Sequence, residues 1–257
     1  MNFQLTDAVK HLIIINVLFW IATLSIGANG DFMNDLFALH FPANEMFKPW
    51  QIVTHMFMHA SFDSAGGIVF AHILFNMFGL WMFGVPVERH LGKNKFLFLY
   101  FSAGLGAVLF QLGYYYFNYI PAFTELVNSG LSSTQIIDML TTNQTNIELV
   151  GNQLANLQEL YPIYNASMVG ASGCIMGILA AFGMMNPNAE LMLIFLPIPI
   201  KAKYFIPGII LLDVISAVTG QSFFSPSNTA YMAHVGGAII GAIMMWYWKK
   251  NSFNDRR

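Results

Sequence analysis

Val169-Gly170-Ala171-Ser172-Gly173-Cys174-Ile175-Met176-Gly177 opens an apolar run that continues to about Met185. A serine set among glycines is an odd choice for a helix that merely anchors. Gly173 and Gly177 are four residues apart, the spacing that lets a neighbouring helix approach to backbone contact. Near the other end of the chain, Ala233-His234-Val235-Gly236-Gly237 carries a matching pair, Gly237 and Gly241. The two segments are expected to press together as helices and to bring Ser172 against His234. A small-residue packing seam with a polar filler would use the same spacing, so the surrounding sequence has to decide.

The composition sets the solvent. Of 257 residues, 56% are hydrophobic and only 9% are charged, with a mean hydropathy of +0.56. Soluble domains carry about 25% charged residues, so an integral membrane protein is expected, as one domain over residues 1–257. The formal charge of -2 gives no reason to expect nucleic acid as a partner. The single cysteine, Cys174, sits in the apolar run and reads as a small buried hydrophobe. The run from Leu12 to about Ile26 lacks a small-residue cleavage site and is expected to be a retained first span.

Crossing about 30 Å of hydrocarbon takes roughly 20 helical residues. Six segments come close: 11–29, 67–87, 95–117, 168–186, 204–220 and 229–248. Pro197, Pro199 and Pro207 crowd the start of the fifth, which could begin nearer Leu191. With six spans, Lys10, Arg89, Lys93, Lys95, Lys201, Lys203, Lys249, Lys250, Arg256 and Arg257 share one side, and only Lys48 lies on the other. Positive residues mark the cytoplasmic side, so both termini are expected there. The bacterial inner membrane is the expected location, since no transit peptide stands out.

Two connections on the other side are long. The first, 30–66, mixes Phe32, Phe37, Phe41, Phe47, Trp50, Phe57 and Phe62 with polar residues, as an interfacial segment would. The second, 118–166, is an extramembrane insert. Ser132-x-x-Gln135 and Thr145-x-x-Glu148 both read as capping boxes. Ile147, Val150, Leu154, Leu157 and Tyr161 recur at helical spacing. Two short helices are expected here, the second amphipathic, packed as a lid on the outer ends of the spans.

Spans two, four and six run in the same direction. Each carries a polar residue shortly after its outer end: His72, Ser172 and His234. At a rise of 1.5 Å per residue each lies about 6–9 Å deep. Asn76 follows His72 one turn deeper on the same face. Polar groups at such depth face the protein interior or a wet cavity, and they are candidates for function. The set fits acyl transfer. A serine hydroxyl becomes a nucleophile when a base accepts its proton, and His234 can take that proton and return it to a leaving amine. His72, Asn76 and the Ser172 backbone N–H can donate to the oxyanion of a tetrahedral intermediate. Asp213 lies within span five but reads as far from the outer end. A Ser-His dyad is therefore expected, with Asp213 as a helix–helix hydrogen-bonding partner or part of a proton path.

These residues resemble the rhomboid intramembrane serine proteases. Gly170-Ala171-Ser172-Gly173 looks like the family's nucleophile motif, and Ala233-His234-Val235-Gly236-Gly237 with Gly241 resembles its histidine helix. His72-x-x-x-Asn76 is similar to its oxyanion motif. Trp50-Gln51 with Thr54-His55-Met56-Phe57-Met58-His59 resembles its first outer loop, and Glu88-Arg89-His90-Leu91-Gly92 its turn after span two. Each motif is short. Their order and their placement on spans two, four and six make the combination specific.

The resemblance implies an all-α membrane fold: a six-transmembrane-helix rhomboid-like bundle with a large outer loop 1 and a helical insert between spans three and four. Its substrates would be single-span transmembrane proteins cut near the outer surface. No cofactor or metal is implied, and Phe75 would face span five at a substrate gate. The chain departs from the family pattern in three places: Gln51 stands where arginine is frequent, Met176 stands where an aromatic ring usually lies under the histidine, and the 118–166 connection is long. His55 and His59 are four residues apart, a spacing that can bind metal; a hydrogen-bonding role in the loop fits the resemblance better. His11, His40 and His90 read as surface or interfacial. The rival reading is a catalytically silent rhomboid-like protein that binds client spans. Silent relatives typically lack the serine or the histidine, and both are present here.

Overall fold

The computed structural model describes residues 4–63, 65–193, 196–223 and 229–254. In chain order these form α1 (Asp7–Ser25), α2 (Asp31–Phe37), β1 (Leu39–His40), α3 (Gln51–Thr54) with a 3-10 turn at His55–Phe57, α4 (Ala71–Leu91) and α5 (Lys93–Asn128). Then follow α6 (Ser133–Thr142), α7 (Gln153–Tyr164), β2 (Ser167–Met168), α8 (Ser172–Met185), β3 (Glu190–Leu193), β4 (Leu196–Lys201), α9 (Ala202–Thr219) and α10 (Tyr231–Asn254). By length and composition, α1, α5 and α9 suffice to cross a membrane, and α8 is a shorter apolar helix. Arg256 and Arg257, part of the charge asymmetry, lie outside the described residues.

Helices α5, α8 and α10 form the centre, and small residues are the reason. A Cβ added at Gly237 would collide with the Gly173 carbonyl, and one at Gly241 with the Gly177 carbonyl. A Cβ at Gly236 would stand 2.5 Å from the Gly106 carbonyl oxygen, and one at Gly173 2.5 Å from the Ala107 Cβ. The three backbones therefore touch, as small-xxx-small packing permits. Every residue of α8 from Gly173 to Phe182 is buried. Polarity on such a helix has nowhere to face but a neighbour. Asn186 precedes Pro187, which disfavours helical backbone before it and ends α8 at Met185.

The remaining elements brace this centre. The buried Glu88 carboxylate, near the end of α4, accepts from the backbone N–H groups of Ala8 (2.9 Å) and Val9 (2.9 Å) and from the Thr6 hydroxyl. It thereby satisfies N–H groups that the start of α1 cannot pair itself. Within loop 1 the Gln51 amide is fully buried and fully used. Its oxygen accepts from the N–H groups of Lys48 (3.0 Å) and His40 (3.4 Å), and its nitrogen donates to the carbonyls of Asp35 (3.1 Å) and Met46 (3.0 Å). The departure at position 51 thus builds the loop's hub.

The structure departs from the sequence expectations in several places. The fold is predominantly helical but not all-α: β1 pairs antiparallel with β2, and β3 with β4. The second pair occupies the connection before α9 and places Leu191 in a strand, because Pro197 and Pro199 deny a helix its backbone donors there. His40 is buried in the first pair, opposite Ser167, and is not a surface residue. Helix α5 runs on to Asn128 and, at 36 residues, is about 54 Å long, so the segment after residue 118 begins as a continuation of that helix. Only one of the two capping boxes forms. Ser132 and Gln135 cap α6 reciprocally, whereas the Thr145 hydroxyl bonds locally to Ile147 and α7 starts at Gln153. The buried face of α7 is Leu157, Leu160 and Tyr164, while Val150 and Leu154 are exposed. It joins Tyr119, Ala122 and Leu126 of α5, Ile136, Met139 and Leu140 of α6, and Phe41 of loop 1 in a separate small core.

Candidate active site

Ser172 is the first residue of α8. The chain reaches it through Gly170, whose φ of +127° is a conformation that side chains oppose. The Gly170 N–H donates to the His55 carbonyl (3.0 Å), and β2 two residues earlier is tied to β1. The approach to Ser172 is thus clamped to loop 1. Absence of a side chain at 170 also makes room. A Cβ there would lie 3.0 Å from His72 Nε2 and 3.6 Å from Ser172 Oγ. A hydroxyl and an imidazole edge therefore both border the space left open at Gly170, at a helix end where free N–H groups favour negative charge.

His72 is held in one tautomer. Its Nδ1 accepts from the Ala60 backbone N–H at 3.0 Å, so the neutral ring carries its proton on Nε2, the nitrogen nearest Gly170 and Ser172. The His59 ring packs edge-on against it, with centroids 5.2 Å apart. Asn76 is buried; its Nδ2 donates to the His72 carbonyl (2.8 Å), and its Oδ1 has no hydrogen-bond partner. One amide proton of Asn76 is thereby left for another acceptor.

His234 lies three residues after the start of α10. The Gln111 side chain of α5 accepts from the Ala233 N–H (3.2 Å) and steadies that helix end. Because α8 and α10 touch at Gly173 and Gly237, Ser172 and His234 head facing helices, with the Ala233 carbonyl 3.5 Å from a Cβ built at Gly173. His234 is also close enough to His72 for the two rings to interact electrostatically. Met176 belongs to an apolar cluster with Leu179, Ile206 and Ala238, the last one turn beyond His234.

The sequence reading missed the partner of His234. Asp213 on α9 is fully buried, and its Oδ2 lies 2.9 Å from His234 Nδ1. Helix α9 runs opposite to α10, so depth at this site is counted back from its end at Thr219. Asp213 is then only six residues, about 9 Å, from that end. The direction of span five in the six-span order is the signal that places Asp213 near the outer end. The expectation of Asp213 as a helix–helix hydrogen-bonding partner is met, and the group it holds is the ring of His234.

The other candidates separate clearly. His55 Nδ1 donates to the Gln51 carbonyl (2.8 Å), and His59 Nε2 donates to Asn16 Oδ1 on α1 (2.8 Å). Burial pushes the His55 pKa down to about 4 and that of His59 to about 3, so both are neutral struts of loop 1. No cluster of three metal-ligating side chains occurs among the described residues. Phe75 is half exposed on α4, and Cys174 is buried.

Comparison with known proteins gives a match to the Rhomboid domain family over residues 46–251. The chain is similar to Rhomboid protease AarA of Providencia stuartii, at 30% identity over 67% of this chain and 49% of that protein. It is similar to Rhomboid protein 1, mitochondrial, of Saccharomyces cerevisiae, at 25% identity over 70% of this chain and 39% of the relative. Presenilin-associated rhomboid-like protein, mitochondrial, of Homo sapiens is 28% identical over 68% of this chain and 33% of its own length. The chain thus spans half or less of the length of these relatives.

Proposed function

The chain belongs to the rhomboid family, and from that membership we propose that it is an intramembrane serine endopeptidase. Ser172 is the nucleophile and His234 the base. His72 Nε2–H, Asn76 Nδ2–H and the Ser172 backbone N–H are the oxyanion donors. The observation that carries this reading is that Ser172 Oγ and His72 Nε2 both line the bare backbone of Gly170, within 4 Å of where its Cβ would stand. A nucleophilic oxygen beside a preorganised donor is what acyl transfer requires. With Nδ1 of His234 held by a carboxylate, its Nε2 keeps the lone pair that accepts the serine proton.

Substrates in this reading are single-span transmembrane proteins that enter past Phe75 from the lipid bilayer. In this reading the chain has six spans in a bacterial inner membrane with both termini cytoplasmic, an orientation that the lysine and arginine asymmetry supports. The test is cleavage of a single-span reporter in liposomes by the wild type, Ser172→Ala and His234→Ala. A product made by the wild type and absent from both variants is expected. Cleavage by Ser172→Ala at the wild-type rate would sink the assignment. Binding without cleavage by the wild type would favour a client-binding role.

A further inference from the structure

We propose that Asp213 is a positioning residue for His234, so that α8, α10 and α9 together supply a Ser172–His234–Asp213 relay. This rests on the protease reading above and replaces the dyad expected from the sequence. The carboxylate is fully buried, and its Oδ2 stands 2.9 Å from Nδ1. A buried carboxylate in an apolar helix is costly unless it is paired and hydrogen-bonded. Here its partner is the one ring nitrogen that does not serve the serine. The carboxylate fixes the proton of the neutral ring on Nδ1 and frees the Nε2 lone pair. Helix α9 is itself anchored one turn further on, where the Tyr114 hydroxyl of α5 donates to the Ala217 carbonyl at 2.9 Å.

The reaction balances without a proton on Asp213. The Ser172 O–H bond breaks, its oxygen bonds to the substrate carbonyl carbon, and the proton moves to His234 Nε2. The C–N bond then breaks, and that proton goes to the leaving amine nitrogen. Between these steps the ring is an imidazolium, stabilised by the neighbouring carboxylate. Titratable side chains facing the ring include Asp213 from α9 and His72 from α4. A purely structural link between α9 and α10 would stabilise the bundle without touching the base.

The experiment uses purified full chain in detergent, with Asp213→Asn, Ser172→Ala and His234→Ala. It records kcat and KM on the reporter against pH, Ser172 labelling by a fluorophosphonate, and thermal unfolding. For Asp213→Asn at unchanged folded fraction, kcat is expected to fall by about a hundredfold or more with KM little changed. In the wild type, a downfield imidazole proton resonance absent from His234→Ala is expected, and this measurement stands if Asp213→Asn fails to fold. A kcat loss that only tracks lost folded protein, or no such resonance, would overturn the proposal. Failure of the protease reading shows separately, as Ser172→Ala cleaving and labelling like the wild type, and it would remove the relay with it.

Discussion

Gly173→Ala tests the central packing and the site in one substitution. The new Cβ would sit 2.5 Å from the Ala107 Cβ. Carbon atoms rest at about 3.5–4.0 Å, so the contact is short by about 1–1.5 Å. Ala107 has no rotamer to yield, and its Cα is fixed in α5. The helices must therefore separate by about that amount. Overpacking of this kind costs about 1–3 kcal/mol, which for a chain of this size lowers Tm by roughly 2–12 °C. Ser172 is the adjacent residue on the same helix and moves with it. A displacement of about 1 Å at a reacting group can cost roughly a hundredfold in rate. Thermal unfolding and fluorophosphonate labelling of the same preparation read the two effects. Gly113→Ala and Gly208→Ala are the controls. No heavy atom lies within 4 Å of a Cβ at either position, and each should be neutral or more stable, by up to about 1 kcal/mol. If Gly173→Ala behaves like those controls in both readouts, the backbones of α5 and α8 do not touch and the argument fails.

Two further outcomes follow from the struts. His55 and His59 have folded pKa values of about 4 and about 3, below the ordinary 6.5. Their contribution is therefore intact above pH 6.5 and is lost as pH falls toward those values, by at most roughly 2 kcal/mol per histidine at pH 5. Thermal unfolding from pH 8 to 5 should show the loss, and His59→Gln should flatten it; an unchanged slope would count against the assignment. Glu88→Gln keeps the shape but can accept at only one oxygen, so it should lose about 1–2 kcal/mol and expose Lys10 to trypsin faster than in the wild type. Equal proteolysis rates would show that the carboxylate does not hold α1.

The parts of this fold legible in the sequence were those whose signal is local. Gly173 with Gly177, Gly237 with Gly241, and His72 with Asn76 each share a helix face by spacing alone, and Ser132 with Gln135 caps its helix through its own backbone. The missed parts depend on a distant partner. Thr145 and Glu148 satisfied the same pattern as Ser132 and Gln135, but Asn143 ends α6 in a left-handed conformation and the Thr145 hydroxyl stays with Ile147. The two-residue strands at Leu39–His40 and Ser167–Met168 are too short for any periodicity. The direction of span five brings Asp213 near the outer end, but whether it reaches His234 depends on how two antiparallel helices pack, which no local pattern around either residue encodes.

The Glu88 clamp also constrains how the chain is made. The N–H groups of Ala8 and Val9 obtain their acceptor from a residue some 80 positions later. At ribosomal rates of about 5–20 residues per second, that interval is roughly 4–16 s. Until Glu88 arrives, the first helix is a nascent segment with an unfinished end, free to shift against the translocation machinery. Arrival of the α4 terminus fastens it. Biogenesis therefore has a built-in order, in which the first helix is committed only when the second long helix of the chain is complete.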